Sequence, residues 1–183
     1  MPFTAHDIYE QTLVLRSQIG DESAFQELLT LYGPRLLAYT RKMLEQVPHE
    51  IEDITQEIWL SIFRGLPGLR EVRKFKPWAF RIARDRIYRE YRRRNLHTAA
   101  LDESVIDVLP ADDALTLNEQ SAQIRHCLQT LSPEHREVLV LCFFEDLSYD
   151  EIAHVTGTNA GTVRSRIHYG KRALRLALER ETP

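Results

Sequence analysis

Apolar residues recur along this chain at the three- and four-residue steps of amphipathic helices, and no stretch alternates as a half-buried strand would. Ile51, Ile54, Ile58 and Ile62 define the inward stripe of a helix from about Glu50 to Arg64. Upstream, Asp21 can cap a helix carrying Ala24, Phe25, Leu28, Leu29 and Tyr32, which Gly33 and Pro34 are expected to end; Leu36, Leu37, Tyr39, Met43 and Leu44 make the next. The sequence GLPGLREVRKFK reads as a loop. Pro77 suits the first turn of a following helix, in which Phe80, Ala83, Ile87 and Tyr91 face inward and Arg81, Arg84, Tyr88 and Arg92 run parallel as a basic stripe.

Periodicity lapses from Asn95 to Leu117, where Asp, Glu, Ala and a Pro dominate, so this segment reads as a linker. Beyond it, Ile124, Cys127, Leu128 and Leu131 mark a helix, and Ser132 and Pro133 start another with Val138, Leu139, Leu141, Cys142 and Phe143. Ser148 followed by Glu151 is a capping box, which opens a helix at Tyr149 with Ile152, Ala153 and Val155 on its apolar side. Gly157 can take the positive φ that ends it, and Asn159 can cap a last helix in which Val163, Ile167, Leu174 and Leu178 recur. Thr162, Arg164, Ser165, Arg166, His168 and Lys171 are left largely outside. Two helices about a short glycine turn form a helix-turn-helix, whose second helix enters the DNA major groove; the blander reading is a helical hairpin with a solvated basic face. The expected fold is all-α: two small helical domains, residues 1–94 and 118–183, joined by a flexible acidic linker over 95–117.

Composition sets limits. A chain of 183 residues can form one or two domains with real cores. It has no apolar run near the ~18 residues needed to span a bilayer, and its start, MPFTAHDIYEQ, lacks the features of a signal peptide, so no membrane insertion and a cytoplasmic location are expected. Cys127 and Cys142 fall in apolar helical patterns without metal-ligand spacing and are expected as buried thiols in a reducing compartment.

The net charge of −3 conceals strong segregation. Residues 70–94 hold eleven Lys or Arg against three acids, and residues 160–180 hold six against one. Residues 43–58 hold five acids and no Lys or Arg, and residues 102–119 hold six and none. Such asymmetry points to two nucleic-acid surfaces, an acidic protein-contact surface and an acidic linker. Catalytic readings find little. Glu151 and His154 copy half of a di-iron motif with no second copy, and His49, Asp53 and Glu57 at four-residue spacing suit a solvated helix surface better than a metal site. There is no phosphate loop, nucleophile elbow or zinc spacing, so neither an enzyme, a cofactor nor a metal is expected.

Four segments carry a resemblance: AFQELLTLYGPRLLAYTRKML, DITQEIWLSIF, WAFRIARDRIYREYRRR and LSPEHREVLVLCFFEDLSYDEIAHVTGTNAGTVRSRIHYGKRAL. In this order and spacing they resemble the bacterial extracytoplasmic-function (ECF) sigma factors of the sigma-70 family. The resemblance implies an N-terminal domain of the region 2 type, a C-terminal domain of the region 4 type, and core RNA polymerase, promoter DNA and an anti-sigma factor as partners. Asp53, Gln56 and Glu57 stand in the family's D-x-x-Q-E motif, which implies docking on the polymerase clamp helices; an acidic and amide row suits arginines of a partner and would be repelled by phosphate. The loop Leu66 to Phe75 and the helix from Pro77 resemble the elements that hold the melted −10 strand. Arg73, Lys74, Lys76, Arg81, Arg84, Arg92 and Arg93 are the implied strand contacts, with Trp78 and Tyr88 as stacking faces or, equally, core. GTVRSR implies −35 recognition by Asn159, Thr162, Arg164, Ser165, Arg166, His168 and Lys171. The chain departs from the family pattern at Asp85, at Arg89, and at Tyr169, Gly170 and Lys171; Gly170 is expected to weaken or bend its helix, at about 1 kcal/mol relative to alanine. The rival readings are a polymerase-independent helix-turn-helix regulator and a helical adaptor for acidic partners.

Overall fold

A computed structural model describes residues 5–44, 48–100 and 119–181. Among them all regular structure is helical, in eight α-helices: α1 Ala5–Gln18, α2 Glu22–Leu44, α3 Pro48–Gly65, α4 Phe75–Ala100, α5 Glu119–Gln129, α6 Pro133–Phe143, α7 Tyr149–Thr156 and α8 Ala160–Glu181. Two single-turn 3-10 helices, Leu66–Gly68 and Val72–Lys74, carry the chain from α3 to α4. Gln18 donates to the Leu66 and Leu69 carbonyls at 3.0 and 2.7 Å, tying this connection to the end of α1.

Helices α1 to α4 pack around Leu28, Tyr32, Leu36 and Tyr39 of α2, the isoleucines of α3, and Phe75, Phe80, Ala83 and Ile87 of α4, all buried. Tyr32 meets Phe75 and Tyr39 meets Phe80 edge to face, the arrangement that ring quadrupoles favour. Helices α5 to α8 pack around Leu128, Val138, Leu139, Leu141, Ile152, Val155, Val163 and Ile167, and the buried apolar cluster is continuous across the two halves.

Local signals hold where they concern caps. The Asp21 carboxylate accepts from the Ala24 amide, Ser132 accepts from the His135 amide, and both bonds of the Ser148–Glu151 capping box are made. Gly157 adopts φ 66°, and Asn159 Oδ1 accepts from the Thr162 amide at 2.8 Å.

Several expectations are corrected. Helix α2 does not stop at Gly33 and Pro34. Pro34 sits on its exposed side, so the amide it lacks is lost where the Thr30 carbonyl can turn to water, and the buried stripe from Leu28 to Met43 holds the helix together across it. Helix α1, with Leu13 and Val14 buried, escaped the periodicity reading. Helix α4 starts at Phe75 and continues through residues 95–100, which were expected in the linker; residues 101–118 lie outside the described residues. Cys127 is buried but Cys142 only half-buried, and Phe143 is exposed. Gly170 does not interrupt α8.

Candidate nucleic-acid interface

Along α3 the isoleucine stripe turns Asp53, Gln56 and Glu57 outward, and all three are exposed. Asp53 and Glu57, together with Glu50, face Arg86, Arg89 and Arg93 of α4 across a groove that Gln56 does not line. Glu57 is paired with Arg86, whose hydrogen bond holds the carboxyl below its usual range. Sequence reasoning found the acids but not this basic partner, because it lies a whole helix away.

Of the residues assigned to the −10 strand, Arg73 and Lys74 both pair with Glu71, at 3.2 and 2.7 Å, in the exposed connection before α4. Arg92 is exposed. Arg93 is shared between Glu90 and Glu50. Trp78 is half-buried, its ring beside Phe75 and over Gly65, where an added Cβ would lie 3.0 Å from the indole. It therefore packs between α3 and α4 instead of standing open as a platform. Lys76 is half-buried, and burial, with Arg35 second, lowers its pKa.

The remaining three, Arg81, Arg84 and Tyr88, face α6 and α7. Arg81 Nη1 donates to the His154 carbonyl at 3.3 Å. Arg84 lies over the Tyr88 ring, 4.4 Å from its centroid, with Nε 3.0 Å from Oε1 of Glu137. Nε has no aligned acceptor, so this contact is charge attraction more than hydrogen bond. The Tyr88 and Tyr39 hydroxyls donate to Glu137 at 3.1 and 3.2 Å. Glu137 is fully buried; burial pushes its carboxyl up, against Arg84, the two tyrosines and Arg166, which favour the charged form. Beside this cluster Arg35 Nε meets Glu145 at 2.9 Å, and Lys42 lies over the Phe144 ring. Nothing local marked Glu137, which sits in the apolar run EVLVLCF of α6.

On α8, Arg164, His168 and Lys171 line one groove. Tyr149, Arg172 and Arg175 line it too; these three were not among the expected contacts, although Arg172 and Arg175 lie at the spacing that continues the Arg164–His168 face. Ser165 Oγ donates to the Thr162 carbonyl, Asn159 is engaged as a cap, and His168 meets Tyr169 edge to face. Lys171 lies 5.8 Å from the Phe143 ring centroid. Arg166 is half-buried and does not line this groove; it lies near enough to Glu137 to favour that carboxyl's charged form. The arrangement offers one open basic face on α8 and a second basic row on α4 that is engaged by α6 and α7.

Glu151, considered above as a metal ligand, is committed to the capping box. No described helix is long and apolar enough to cross a membrane.

Residues 28–96 match the family model of sigma-70 region 2, and residues 121–174 that of sigma-70 region 4. The chain is 35% identical over 167 residues to the ECF RNA polymerase sigma factor SigE of Mycolicibacterium smegmatis, covering 85% of this chain and 63% of that one. It thus spans just under two thirds of that relative's length. It is 30% identical over 171 residues to the ECF RNA polymerase sigma factor SigW of Bacillus subtilis, covering 87% of this chain and 91% of the relative. Among solved structures, CnrH in complex with the cytosolic domain of CnrY aligns with a TM-score of 0.71 at 22% identity, covering 95% of this chain and 99% of that one. The sigma factor RpoE of Bartonella quintana, in complex with the anti-sigma factor NepR, aligns with a TM-score of 0.71 at 23% identity over 86% of this chain and 98% of that one. These two likenesses concern the fold.

Proposed function

The chain belongs to the ECF sigma factors of the sigma-70 family, and from that membership we propose that it works by assembly, docking on core RNA polymerase through α3 and carrying it to promoters through α4 and α8. The observation that carries this reading is the separation of charge on one scaffold: an exposed acid and amide row on α3, and basic rows on α4 and α8. An acidic row suits arginines on a protein partner, and the basic rows suit phosphate.

In this reading residues 1–94 form the core-binding and −10 domain, residues 118–183 form the −35 domain, and the segment between them tethers the two. Tethering raises the effective concentration of the second DNA contact, so neither domain need bind tightly alone. Arg73, Lys74, Arg81, Arg84, Arg92 and Arg93 hold the melted strand, with Tyr88 beside them. Arg164 reaches base edges or phosphate in the −35 groove, and Arg172 and Arg175 extend the phosphate contacts. The chain performs no catalytic step of its own and acts in the cytoplasm with the polymerase. Two fold neighbours are seen with a bound protein, CnrH with the cytosolic domain of CnrY and RpoE with the anti-sigma factor NepR, and we infer an anti-sigma partner here. Region 2 covers most of the N-terminal half, which removes the reason to prefer a polymerase-independent regulator.

Gel filtration with bacterial core RNA polymerase tests the docking. Wild type is expected to co-elute, and Asp53→Arg and Glu57→Arg to lose the association. A folded wild-type chain that elutes apart from core would remove the proposal.

A further inference from the structure

Arg84 and Tyr88 of α4 and Arg166 of α8, all among the residues read above as DNA contacts, converge on one carboxylate. Glu137 is the centre of that convergence, with Arg84 at 3.0 Å and the Tyr88 hydroxyl at 3.1 Å. Arg166 lies close enough to favour its charged form. Tyr39, from the core of the first helices, completes the set at 3.2 Å. A carboxylate and a phosphate oxygen ask the same thing of a guanidinium and a phenol: an anion within hydrogen-bond reach. The groups that hold Glu137 cannot at the same time hold the DNA backbone. The backbone agrees with the side chains, because α7 covers α4 where Arg81 donates to the His154 carbonyl.

We propose that the free chain is self-inhibited by Glu137, which acts as an internal substitute for DNA phosphate by occupying Arg84 and Tyr88 and closing α6 and α7 over the −10 face of α4. The inference rests on the reading of α4 as a strand-binding helix. Release of Glu137 then precedes strand capture, and whatever separates α6 from α4 exposes the basic row. Other contacts across this seam, Arg35 with Glu145, Gln129 with the Lys42 carbonyl and Arg136 with the Met43 carbonyl, orient the closed state. None of these three involves a residue proposed to bind DNA, so Glu137 is where closure and DNA compete most directly.

Removing the charge strips half-buried Arg84 of its nearer anion and leaves it Asp85 at 3.5 Å, and breaking a buried pair from one side costs more than losing the pair altogether. The full-length Glu137→Gln variant is therefore expected to open. Small-angle X-ray scattering should show a larger radius of gyration than wild type. Fluorescence anisotropy with a 20-nucleotide single-stranded DNA should show binding tighter by about tenfold, the increase expected when a scarcely populated competent state becomes the main one. The gain should vanish in the Glu137→Gln/Arg84→Gln double variant. Arg84→Gln alone, which breaks the same contact from the other side, should also enlarge the radius. Far-UV circular dichroism confirms that each variant is folded, and either single variant suffices if the other is not.

Unchanged radius and unchanged single-strand affinity in a folded variant would overturn the proposal. So would a gain that survives the loss of Arg84. Failure of the sigma reading shows elsewhere, as a wild-type chain that does not co-elute with core polymerase. In holoenzyme at saturating core, where the seam is already open, Glu137→Gln is expected to initiate at the wild-type rate, and slower initiation would assign Glu137 a role in the complex instead.

Discussion

Gly170 of α8 lies against Leu139 of α6 so closely that an added Cβ would stand 3.3 Å from both Cγ and Cδ1 of that leucine, and 3.4 Å from the His135 Cβ. The glycine is thus a packing residue between two helices. Helix propensity favours alanine there by about 1 kcal/mol. Crowding opposes it, because Leu139 Cγ and His135 Cβ are close to the backbone and cannot swing aside. Gly170→Ala is expected to leave the melting temperature unchanged or slightly lowered. Gly170→Leu forces α8 away from α6 and should cost about 1–3 kcal/mol, several degrees in the thermal midpoint. A Gly170→Leu protein as stable as wild type would show that α8 does not pack here.

Glu90 is buried beneath three arginines, with Arg93 at 2.6 Å, Arg94 at 2.9 Å and Arg86 at 3.6 Å. The hydrogen bond from Arg93 leads in lowering its pKa to about 2, against the opposing effect of burial. A carboxyl whose folded pKa is depressed stabilises the fold above its unfolded value, and that contribution fades as pH falls toward the folded value. Stability should therefore drop between pH 4.5 and pH 2. Glu90→Gln should lower the melting temperature at pH 7 and flatten the acid limb of a plot of melting temperature against pH. An acid limb as steep as wild type would place the titration on other carboxyls.

How far the sequence speaks depends on the reach of the interaction. Caps and turns are decided within four residues, and Asp21, Ser132, Ser148, Gly157 and Asn159 all do what their types suggest. The α3 stripe was equally plain, since a helix with one buried side writes its period into the sequence. Pro34 misled because its local rule is outweighed by packing along the rest of α2. The seam between α4 and α6 was invisible for a different reason: Glu137 meets Tyr88 and Tyr39 across 49 and 98 residues, and an acid in an apolar run carries no sign of which cations will find it. The basic stripe on α4 was legible as a stripe, but its occupation by the chain's own carboxylate was not.

Arg136 gives a stability test of another kind. Its guanidinium is buried and donates to the carbonyls of Leu128, Gln129 and Leu131 at the end of α5, and to that of Met43 at the end of α2. It closes two helix ends whose last carbonyls have no amide to accept from. Arg136→Ala should cost about 3 kcal/mol, since several buried acceptors lose their donor together. Arg136→Lys should recover only part, because an ammonium cannot span carbonyls set around a planar fork. Denaturant titration separates the cases, and full recovery by lysine would mean that charge alone matters at this site.

The α8 groove makes the sharpest demand on the promoter reading, because its arginines occupy different depths along one helix. Arg164 lies in the first turns, the part of a recognition helix that meets base edges, while Arg175 lies three turns further along the same groove. If Arg164 reads a base, Arg164→Ala should cost about 1–3 kcal/mol on the preferred −35 sequence and much less on a substituted one. If Arg175 meets only phosphate it should behave differently: Arg175→Ala should weaken all sequences alike and reduce the slope of log affinity against log salt by about 1. Both are measured on holoenzyme, with paired promoters differing only in the −35 element, over a series of salt concentrations. Equal losses on both promoters for Arg164→Ala would move it to the phosphate class and shift base reading to Thr162, Ser165 or His168. An unchanged salt slope for Arg175→Ala would confine the DNA contact to the first half of α8 and leave the later basic residues as solvated surface.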